Sequence, residues 1–265
     1  MVIDQVNKKG LDWAALAAGA EAFDGACLVH RKDRLLTSLA SGDPLYVQLG
    51  LLGGALLGIR AVVIDPRLTV QSLIDTIVNE GITIWLGRLD QVSALARELV
   101  ARPLLKNKFI SVLQVVVMPI EDAATLPQVQ IAIAEFRDAC GIEPVVAFAP
   151  RGTGGLVAMN TPPLRSFADH ERTNKIDTLG RVNNGVVVWP RAIIRKQMQR
   201  EPLPLSGVPQ DGLPIVIGAT LSLPLTTFAS HELLAPAACL LEEKFEVDKE
   251  GFLVQHWNDT PSVSS

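Results

Sequence analysis

Four largely apolar runs, separated by stretches of helical periodicity, constrain the fold of this chain more than any other feature, and the run at residues 60–64 has no polar alternation. Continuous apolar strands are typical of a parallel sheet that is covered on both faces. The runs lie at residues 60–64, 82–86, 110–118 and 144–149. The intervening helices are predicted at residues 69–80, 91–101 and 127–139. Alternation of strand and helix predicts an α/β fold with a doubly wound, mostly parallel sheet.

The first sixty residues predict a helix, two short strands and a second helix. Residues 11–24 have helical spacing, and the runs CLVH and RLLTSL within residues 26–39 suggest strands around a charged turn. Asp43 followed by Pro44 is typical of a helix start, which predicts a helix over residues 44–57. Its three glycines are costly in a helix unless close packing compensates, so we expect this helix to be sandwiched in the core.

The pattern changes beyond residue 159. Short apolar runs at residues 185–189, 213–219 and 233–241 alternate with prolines and predict a smaller, β-rich C-terminal portion, with a short helix at 191–199. Residues 102–108 are predicted to be a basic connection. The domain prediction is therefore an α/β core at residues 1–160, a β-rich portion at 161–258 packed on it and a flexible tail at 259–265.

Composition excludes several classes of protein. The 265 residues carry a formal net charge of -4, so the chain has no overall basic character to attract nucleic acid. Residues 45–64 are the most apolar stretch, but their uninterrupted part is too short to span a bilayer. The first ten residues lack the apolar region of a secretory signal. Cys27, Cys140 and Cys239 lie far apart, which favours reduced thiols in a cytoplasmic protein and no zinc site.

The segment VVAFAPRGTGGLVA at residues 145–158 is the candidate ligand site. Two apolar runs flank a turn that contains Gly152, Thr153, Gly154 and Gly155, and such glycines let a ligand or another backbone approach closely. The turn is either a phosphate-binding loop or a tight strand-to-strand connection. The second is favoured, because no helix pattern follows and isolated glycine patterns often occur without a ligand.

Other reactive residue types do not form a convincing catalytic or metal site. His30, His170, His231 and His256 lack the spacing of metal ligands. The run Asp169-His170-Glu171 with Ser166 suggests a hydrolase, but neighbours in sequence need not meet in space, and no nucleophile elbow is present. Arg191, Arg195, Lys196 and Arg200 most simply form a solvated helix face. We therefore predict no catalytic residue and no metal ligand.

The order of the motifs resembles the adenylate-forming superfamily, which includes acyl-CoA synthetases, fatty acyl-AMP ligases and peptide-synthetase adenylation domains. Residues 42–69 are similar to an early helix and strand of that family, and residues 113–119 to the strand before its adenine-contacting loop. Residues 145–158 match the position of the Tyr-Gly-x-Thr-Glu motif. Residues 177–188 and 246–253 are similar to two later segments of the family, the second lying just after the ribose-binding aspartate.

The resemblance implies a nucleotide site with several parts changed. Phe148 would occupy the position of the aromatic residue that stacks on adenine, and Glu243 lies near the position of the ribose-binding aspartate. ATP or AMP is therefore the implied ligand. Gly152 stands where the family has a magnesium-binding glutamate, which argues against magnesium, and Asn258 stands roughly where an arginine is expected.

Two larger parts of the family pattern are missing. The phosphate loop is expected between the strands at 82–86 and 110–118, where this chain has only a helical, basic stretch at 88–108. Without exposed backbone N–H groups in a turn, little can bind a triphosphate. The sequence also ends before the family's mobile C-terminal domain, which carries the lysine used for adenylation.

Three functions follow from these observations. The first is a catalytically degenerate relative that acts as a binding or scaffold subunit, with a protein partner or a second copy and an acyl or nucleotide ligand. The alternative is an ATP-dependent acyl-activating enzyme, or half of one, that a partner chain completes. The third is that the likeness is accidental and the chain is another doubly wound nucleotide- or acyl-binding domain.

Overall fold

The computed structural model describes most of the first 163 residues and shorter stretches beyond them. The described residues are 2–4, 9–11, 13–43, 45–150, 155–163, 175, 177–183, 186–190, 214–218, 223–224, 238–240 and 245–255.

The helices of the described residues lie in the first 140 positions. They are α1 (Trp13–Cys27), a π-helix (Tyr46–Leu51), α2 (Gly53–Leu57), α3 (Val70–Glu80), α4 (Leu89–Ala101), α5 (Pro103–Ile110), a 3-10 helix (Ala123–Thr125) and α6 (Leu126–Cys140).

The strands are distributed over the whole chain. They are β1 (Val2–Asp4), β2 (Lys9–Leu11), β3 (Arg34–Thr37), β4 (Arg60–Val63), β5 (Ile84–Leu86), β6 (Val115–Ile120), β7 (Val145–Phe148), β8 (Ala158–Met159), β9 (Arg181–Val182), β10 (Val186–Pro190), β11 (Pro214–Gly218), β12 (Leu223–Pro224), β13 (Ala238–Leu240), β14 (Phe245–Val247) and β15 (Leu253–Gln255).

A seven-stranded sheet organises the molecule, in the order β4-β3-β5-β6-β7-β8-β9. The five strands from β4 to β7 in this order are parallel, whereas β8 and β9 are antiparallel to their neighbours. This mixed sheet with helices confirms the predicted α/β fold. Strands β10, β11 and β13 form a separate antiparallel sheet, which confirms the β-rich character predicted for the C-terminal portion.

Alternate residues of the parallel strands point to two apolar layers. On the first face, side chains such as Leu36, Trp85 and Val146 pack against α3, α4, α5 and α6. On the second face, side chains such as Leu35 and Ile84 pack against α1 and the π-helix. Both layers are inaccessible to water, which is the arrangement that continuous apolar strands require.

The direction of the crossovers changes once in the sheet. The connection from β3 to β4 runs over the second face, where Gly53 and Gly54 of α2 approach Leu35 and Ala61. The connections from β4 to β7 run over the first face through α3, α4, α5 and α6. Because β3 lies between β4 and β5, the crossovers diverge there, and a crevice is expected at the carboxyl ends of β3 and β5.

The region before β4 differs from its prediction in two places. The strand predicted at CLVH is wrong, since α1 continues to Cys27 and Leu28 turns the chain with a φ of 50°. The helix predicted over residues 44–57 is divided at Leu52 into the π-helix and α2. Asp43 does not cap it through its side chain, because Asp43 Oδ2 accepts the Ala40 N–H instead. The predicted close packing is confirmed, since a Cβ on Gly54 would lie 2.5 Å from Ala61 Cβ.

Three further predictions need correction. Residues 60–64 are not covered on both faces, because β4 is the edge strand and Val63 is 47% exposed. Residues 102–108, predicted as a basic connection between elements, form most of a helix of their own, since Pro103 starts α5. The strand predicted at 110–118 begins only at Val115, because Ile110 is the last residue of α5.

The remaining predictions concern a C-terminal helix and tail, the division into domains and the possibility of a membrane span. The helix at 191–199 and the tail at 259–265 lie outside the described residues. The sheet continues past residue 160 to β9, and the domain division at that position stays a prediction. In the described part of the chain, every helix is too short or too polar to cross a bilayer.

Candidate functional site

The carboxyl edge of the parallel strands is where a doubly wound fold binds ligands, above all where the crossovers diverge. In this chain the divergence lies between β3 and β5. The residues just after these strands are Ser38 and Gly87, and β6 and β7 are followed by Glu121 and Ala149. The polar groups at this edge therefore decide what the site can bind.

Side chains fill the crevice between β3 and β5. Ser38 is fully buried directly after β3, and its Oγ accepts the Trp85 Nε1–H at 2.9 Å. The same Oγ lies 2.6 Å from Gln91 Oε1, to which it donates its single proton. The same Oγ also lies 3.3 Å from the Leu86 carbonyl, so hydrogen bonds join Ser38 to both β5 and α4.

Hydrogen bonds of the Gln91 side chain link Ser38 to the start of α4 and to the segment that contains Pro66. Its Oε1 also accepts the Arg88 backbone N–H at 3.1 Å, which caps the start of α4, and its Nε2 donates to the Pro66 carbonyl at 3.0 Å. Gly87 donates its backbone N–H to the Val117 carbonyl, and a Cβ there would lie 2.5 Å from the Trp85 ring. The N–H groups of Gly87 and Arg88, in the turn into α4, are therefore both engaged in hydrogen bonds within the protein.

The carboxyl ends of β6 and β7 are also tied to each other. The Ala149 N–H donates to the Ile120 carbonyl at 2.9 Å. Asp122 Oδ1 accepts the Ala124 N–H at 2.8 Å and so caps the 3-10 helix, while the Thr125 hydroxyl donates to the Asp122 carbonyl. The position that the sequence assigns to an adenine-contacting loop is thus a short capped turn, and its contact with adenine stays a prediction.

The glycine-rich segment connects two strands. Strand β7 pairs with β8 in antiparallel fashion, and the Val157 N–H donates to the Phe148 carbonyl at 2.9 Å. The segment therefore leads from one strand into the next, as the sequence favoured, and whether its turn also binds phosphate stays a prediction. Gly155 and Leu156 are buried at the end of the turn, and Asn183 Nδ2 donates to the Leu156 carbonyl.

The predicted nucleotide-binding residues have different environments. Phe148 is 1% exposed and belongs to the apolar layer of the first face, so stacking on adenine requires the ring to become accessible. Gly155 is buried beside β8. The other predicted site residues, Gly152, Thr153, Gly154 and Glu243, lie outside the described part of the chain. Nucleotide binding by this set stays a prediction.

Asn160, directly after β8, is a buried polar residue that the sequence did not single out. It is 2% exposed, and its Nδ2 donates to the Lys175 carbonyl at 3.4 Å. Among the described residues, no hydrogen-bond donor reaches its Oδ1. A polar residue that ends an apolar run, as Asn160 ends residues 156–159, is the sequence signal for such a position. The sequence held a similar signal for the hydrogen bond between Ser38 and Gln91. Ser38 is a polar residue directly after a strand, and Gln91 is a glutamine in the first turn of a helix.

An ion-pair cluster lies where the hairpin of β14 and β15 meets β9. Lys175 Nζ contacts Asp248 Oδ2 at 2.6 Å and Glu250 Oε2, and it lies 4.7 Å from the centre of the Phe252 ring. Hydrogen bonds to Asp248 and Glu250 raise the pKa of Lys175. Burial opposes ionisation of Asp248, but hydrogen bonds from Lys175 and two backbone N–H groups outweigh it and lower its pKa. The cluster joins the hairpin to the sheet.

The described residues contain no group of three His, Cys, Asp or Glu side chains that could hold a metal ion. His30 is exposed, whereas His170, His231 and His256 lie outside the described residues, as do Ser166 and Arg191. Cys27 and Cys140 are free thiols and buried. Burial raises the pKa of Cys140 to about 11, which makes it a poor nucleophile near neutral pH.

No protein-family model and no curated protein matches the sequence. Solved structures match the fold. One is a malonyl-CoA ligase in a ternary product complex with methylmalonyl-CoA and AMP, with a TM-score of 0.65 and 17% identity over 95% of this chain and 50% of that one. The chain shares the fold of the adenylate-forming ligases.

Two further structures show the same relationship. O-succinylbenzoate coenzyme A synthetase (MenE) from Bacillus subtilis in complex with AMP has a TM-score of 0.62 at 16% identity, over 93% of this chain and 45% of that one. ATP-bound MatB from Rhodopseudomonas palustris has a TM-score of 0.61 at 15% identity, over 93% of this chain and 44% of that one. The chain therefore spans about half the length of the solved structures that it matches.

Proposed function

We propose that this protein is a catalytically degenerate relative of the acyl-adenylate-forming ligases and acts as a binding or scaffold subunit. Its ligand would be AMP, ATP or an acyl adenylate, bound beside the glycine-rich connection between β7 and β8. The structural likeness to ligases solved with AMP or ATP supports this class of ligand.

One observation carries the proposal of lost catalysis. Between β5 and β6, where a phosphate loop would be expected, the chain forms α4 and α5, and Gln91 caps the first of them. Acyl adenylation needs donors or a metal to neutralise the pyrophosphate that leaves. The Gly87 and Arg88 N–H groups and the side chains of Ser38 and Gln91 are engaged within the protein, which supports the loss of a phosphate site at this position.

The test separates binding from catalysis. Thermal unfolding is followed with AMP, ATP and a non-hydrolysable acyl-AMP analogue, with and without magnesium. A ligand at 100 times its Kd stabilises the native state by about 2.7 kcal/mol, which corresponds to roughly 5–10 °C for a chain of this size. We expect a shift with AMP or the analogue and no further shift on adding magnesium.

Catalysis is measured as pyrophosphate exchange with a panel of fatty and aryl acids. We expect none above background. Pyrophosphate exchange by this chain alone would overturn the proposal that catalysis has been lost. If no nucleotide shifted the unfolding temperature, the proposal of nucleotide binding would be wrong. Phe148→Leu should weaken the shift, whereas the matched control Phe23→Leu, on the other face of the sheet, should keep it.

The second candidate is half of an acyl-activating enzyme. It is favoured by one observation, that this chain covers 44–50% of the length of the solved ligases. A partner chain would then supply the phosphate and metal ligands. Exchange activity that appears only when a second polypeptide is added would establish this function, whereas exchange absent with and without it would leave the first proposal standing.

A further inference from the structure

Strand β4 forms one edge of the seven-stranded sheet. It joins β3 in parallel, with Arg60 beside Arg34 and Val63 beside Thr37. No strand in the described part of the chain pairs with the other side of β4. An edge of this kind presents a row of backbone groups to which a further strand can be added.

One hydrogen bond fixes the direction of the backbone groups of β4. The Ile64 N–H donates to the Thr37 carbonyl at 3.0 Å, so the backbone groups of Ile64 point toward β3. Because the backbone groups of successive residues in a strand point to opposite sides, those of Val62 also point toward β3. Those of Ala61 and Val63 therefore point outward, at the free side of the edge.

Strand β4 lacks the features that usually block such an edge. Proteins protect edge strands with prolines, lysines or bulges, whereas residues 61–64 read Ala-Val-Val-Ile. The nearest charge, on Arg60, is paired with Glu80 of α3 at 2.7 Å. Residues 51–64 contain no other charged side chain, so the approach to the edge is apolar.

The side chains of β4 are covered on the first face and only in part on the second. Val62 and Ile64 pack against the first-face layer, and Ala61 packs against the second-face layer. Gly54 of α2 lies directly over Ala61. Val63 points to the same face as Ala61 but is 47% exposed. A residue on an added strand beside β4 would cover Val63.

A second copy of β4 satisfies both the outward backbone groups and Val63. When two copies run antiparallel about a two-fold axis at Val62, each Ala61 faces the Val63 of the other copy. Each such pair exchanges both N–H···O bonds, and its side chains contact each other on the second face. Arg60 then faces the apolar Ile64 of the second copy, so like charges do not oppose each other in the two strands.

We infer that β4 is the interface of a symmetric homodimer in which the sheets of two copies form one continuous sheet. This inference deepens the proposed role as a subunit and rests on it in that respect alone. The dimer tests use no nucleotide. A monomeric protein that still binds AMP would overturn the interface and leave the proposed ligand intact, and a dimer without affinity for AMP would do the reverse.

Proline substitution tests the outward N–H groups. Sedimentation equilibrium gives the dimer Kd for the wild type, Val63→Pro and Val63→Thr. Val63→Pro removes one outward donor from each copy and no hydrogen bond to β3, so we expect the Kd to rise about tenfold or more. The matched control Val63→Thr keeps the N–H and the branched shape, and its Kd should stay within about threefold of the wild type.

Disulfide cross-linking tests the register and needs no proline in the strand. The two Val62 residues would face each other as a non-hydrogen-bonded pair with Cα atoms about 4.5 Å apart, so Val62→Cys should form a covalent dimer with diamide. The two Val63 residues would be diagonal neighbours about 7–8 Å apart, which is too far for an unstrained disulfide. Val63→Cys should therefore cross-link much less, although this position is the more exposed.

Non-reducing electrophoresis measures the covalent dimer, and the wild type treated in the same way gives the contribution of its native cysteines. Circular dichroism checks that each variant is folded. A wild type that sediments as a monomer at about 100 μM would overturn the interface and leave the edge to a strand of another protein. A folded Val63→Pro variant that dimerises like the wild type, or equal cross-linking of Val62→Cys and Val63→Cys, would overturn it as well.

Discussion

The parallel strands β3–β7 and the antiparallel strands β8 and β9 belong to one sheet but are held in different ways. Apart from the edge strand β4, the parallel strands are covered by two apolar layers, with Trp85 and Phe136 among the largest buried side chains. Strands β8 and β9 have two residues each, and their neighbours add side-chain links such as Asn183 to Leu156 and Lys175 to Asp248. Short strands make few ladder hydrogen bonds, so their stability depends on such links and on a close backbone fit.

The largest effect is expected in the parallel half. Trp85→Ala removes a fully buried indole that contacts Phe136 and donates to Ser38, and we expect unfolding to become easier by about 3–5 kcal/mol. Urea unfolding followed by circular dichroism measures this difference. Leu68→Ala, at an exposed position, should change stability by less than about 0.5 kcal/mol. A loss below about 1 kcal/mol for Trp85→Ala would show that the layer is not tightly packed.

The next effect tests the backbone fit of the antiparallel half. Gly180 has a φ of 101°, and a Cβ there would lie 2.4 Å from the Met159 carbonyl carbon. Gly180→Ala should therefore cost about 3 kcal/mol. Hydrogen exchange should become faster in β8, β9 and β15 before it does in β5 and β6.

The control for this substitution is Gly25→Ala, because nothing lies within 4 Å of a Cβ at that helical position. It should be neutral or slightly stabilising. If Gly180→Ala accelerated exchange equally in all strands, the two halves of the sheet would unfold as one unit and the contrast drawn here would be wrong.

A smaller effect is expected at the boundary between strands and helices. Gln91→Ala removes the Ser38 hydroxyl's closer acceptor and leaves the Leu86 carbonyl at 3.3 Å. It also removes the acceptor of the Arg88 N–H and the donor to the Pro66 carbonyl, and we expect a loss of about 1–2 kcal/mol. Differential scanning calorimetry gives the comparison with Gln128→Ala on the exposed side of α6, which should be near neutral. Equal midpoints for both variants would mean that the crevice does not depend on Gln91.

The smallest effect concerns the surface cluster of Lys175 and Asp248. The pKa of Asp248 is lowered in the native state, so its stabilisation is complete above the unfolded pKa of about 3.9 and disappears as the pH falls through the lower, native pKa. The pKa of Lys175 is raised, so its stabilisation is complete below about pH 10.4 and disappears as the pH rises through the higher, native pKa.

Asp248→Asn should lower the unfolding midpoint by less than Gln91→Ala does. Midpoints between about pH 2 and 11 should show a wild-type advantage that is constant near neutrality and vanishes at the acid end. Glu21→Gln, on an exposed position of α1, serves as the control and should follow the wild type throughout. An advantage that did not decrease at all between about pH 5 and pH 2 would show that packing, and not charge, joins the hairpin to the sheet.

The parallel half was predictable because its signals are local. The apolar runs at 82–86 and 144–149 contain β5 and β7, and the helices predicted at 69–80 and 91–101 match α3 and α4 within two residues. A run of apolar residues is enough to define a strand that is buried on both sides.

The predictions were wrong where tertiary contacts override the local preference of the residues for a strand or a helix. Cys27 lies in an apolar run, but burial on the second face keeps it at the end of α1. Residues 60–64 have the pattern of a central strand, and only the order of strands shows that β4 is at the edge. The π-helix depends on packing around Gly50, where a Cβ would meet Thr37 Oγ1 at 3.2 Å, and no local signal encodes that contact.

The candidate site was predicted in outline only. The helical character predicted for residues 88–108 is confirmed, since α4 and α5 lie there. The filling of the crevice by Ser38 and Gln91 did not follow, because the two residues are 53 positions apart in sequence. Contacts at that separation depend on the topology of the sheet.

The order in which the ribosome makes this chain differs from the order in which its second face can close. Phe23 and Cys27 of α1 pack in the layer that contains Ile84, Val115 and Val145, residues that are synthesised much later. Until β7 has left the ribosome, the apolar side of α1 lacks most of the sheet that covers it. Part of the apolar cover of α1 therefore exists only after β5, β6 and β7 have been synthesised, and until then this side of the helix is open to non-native contacts.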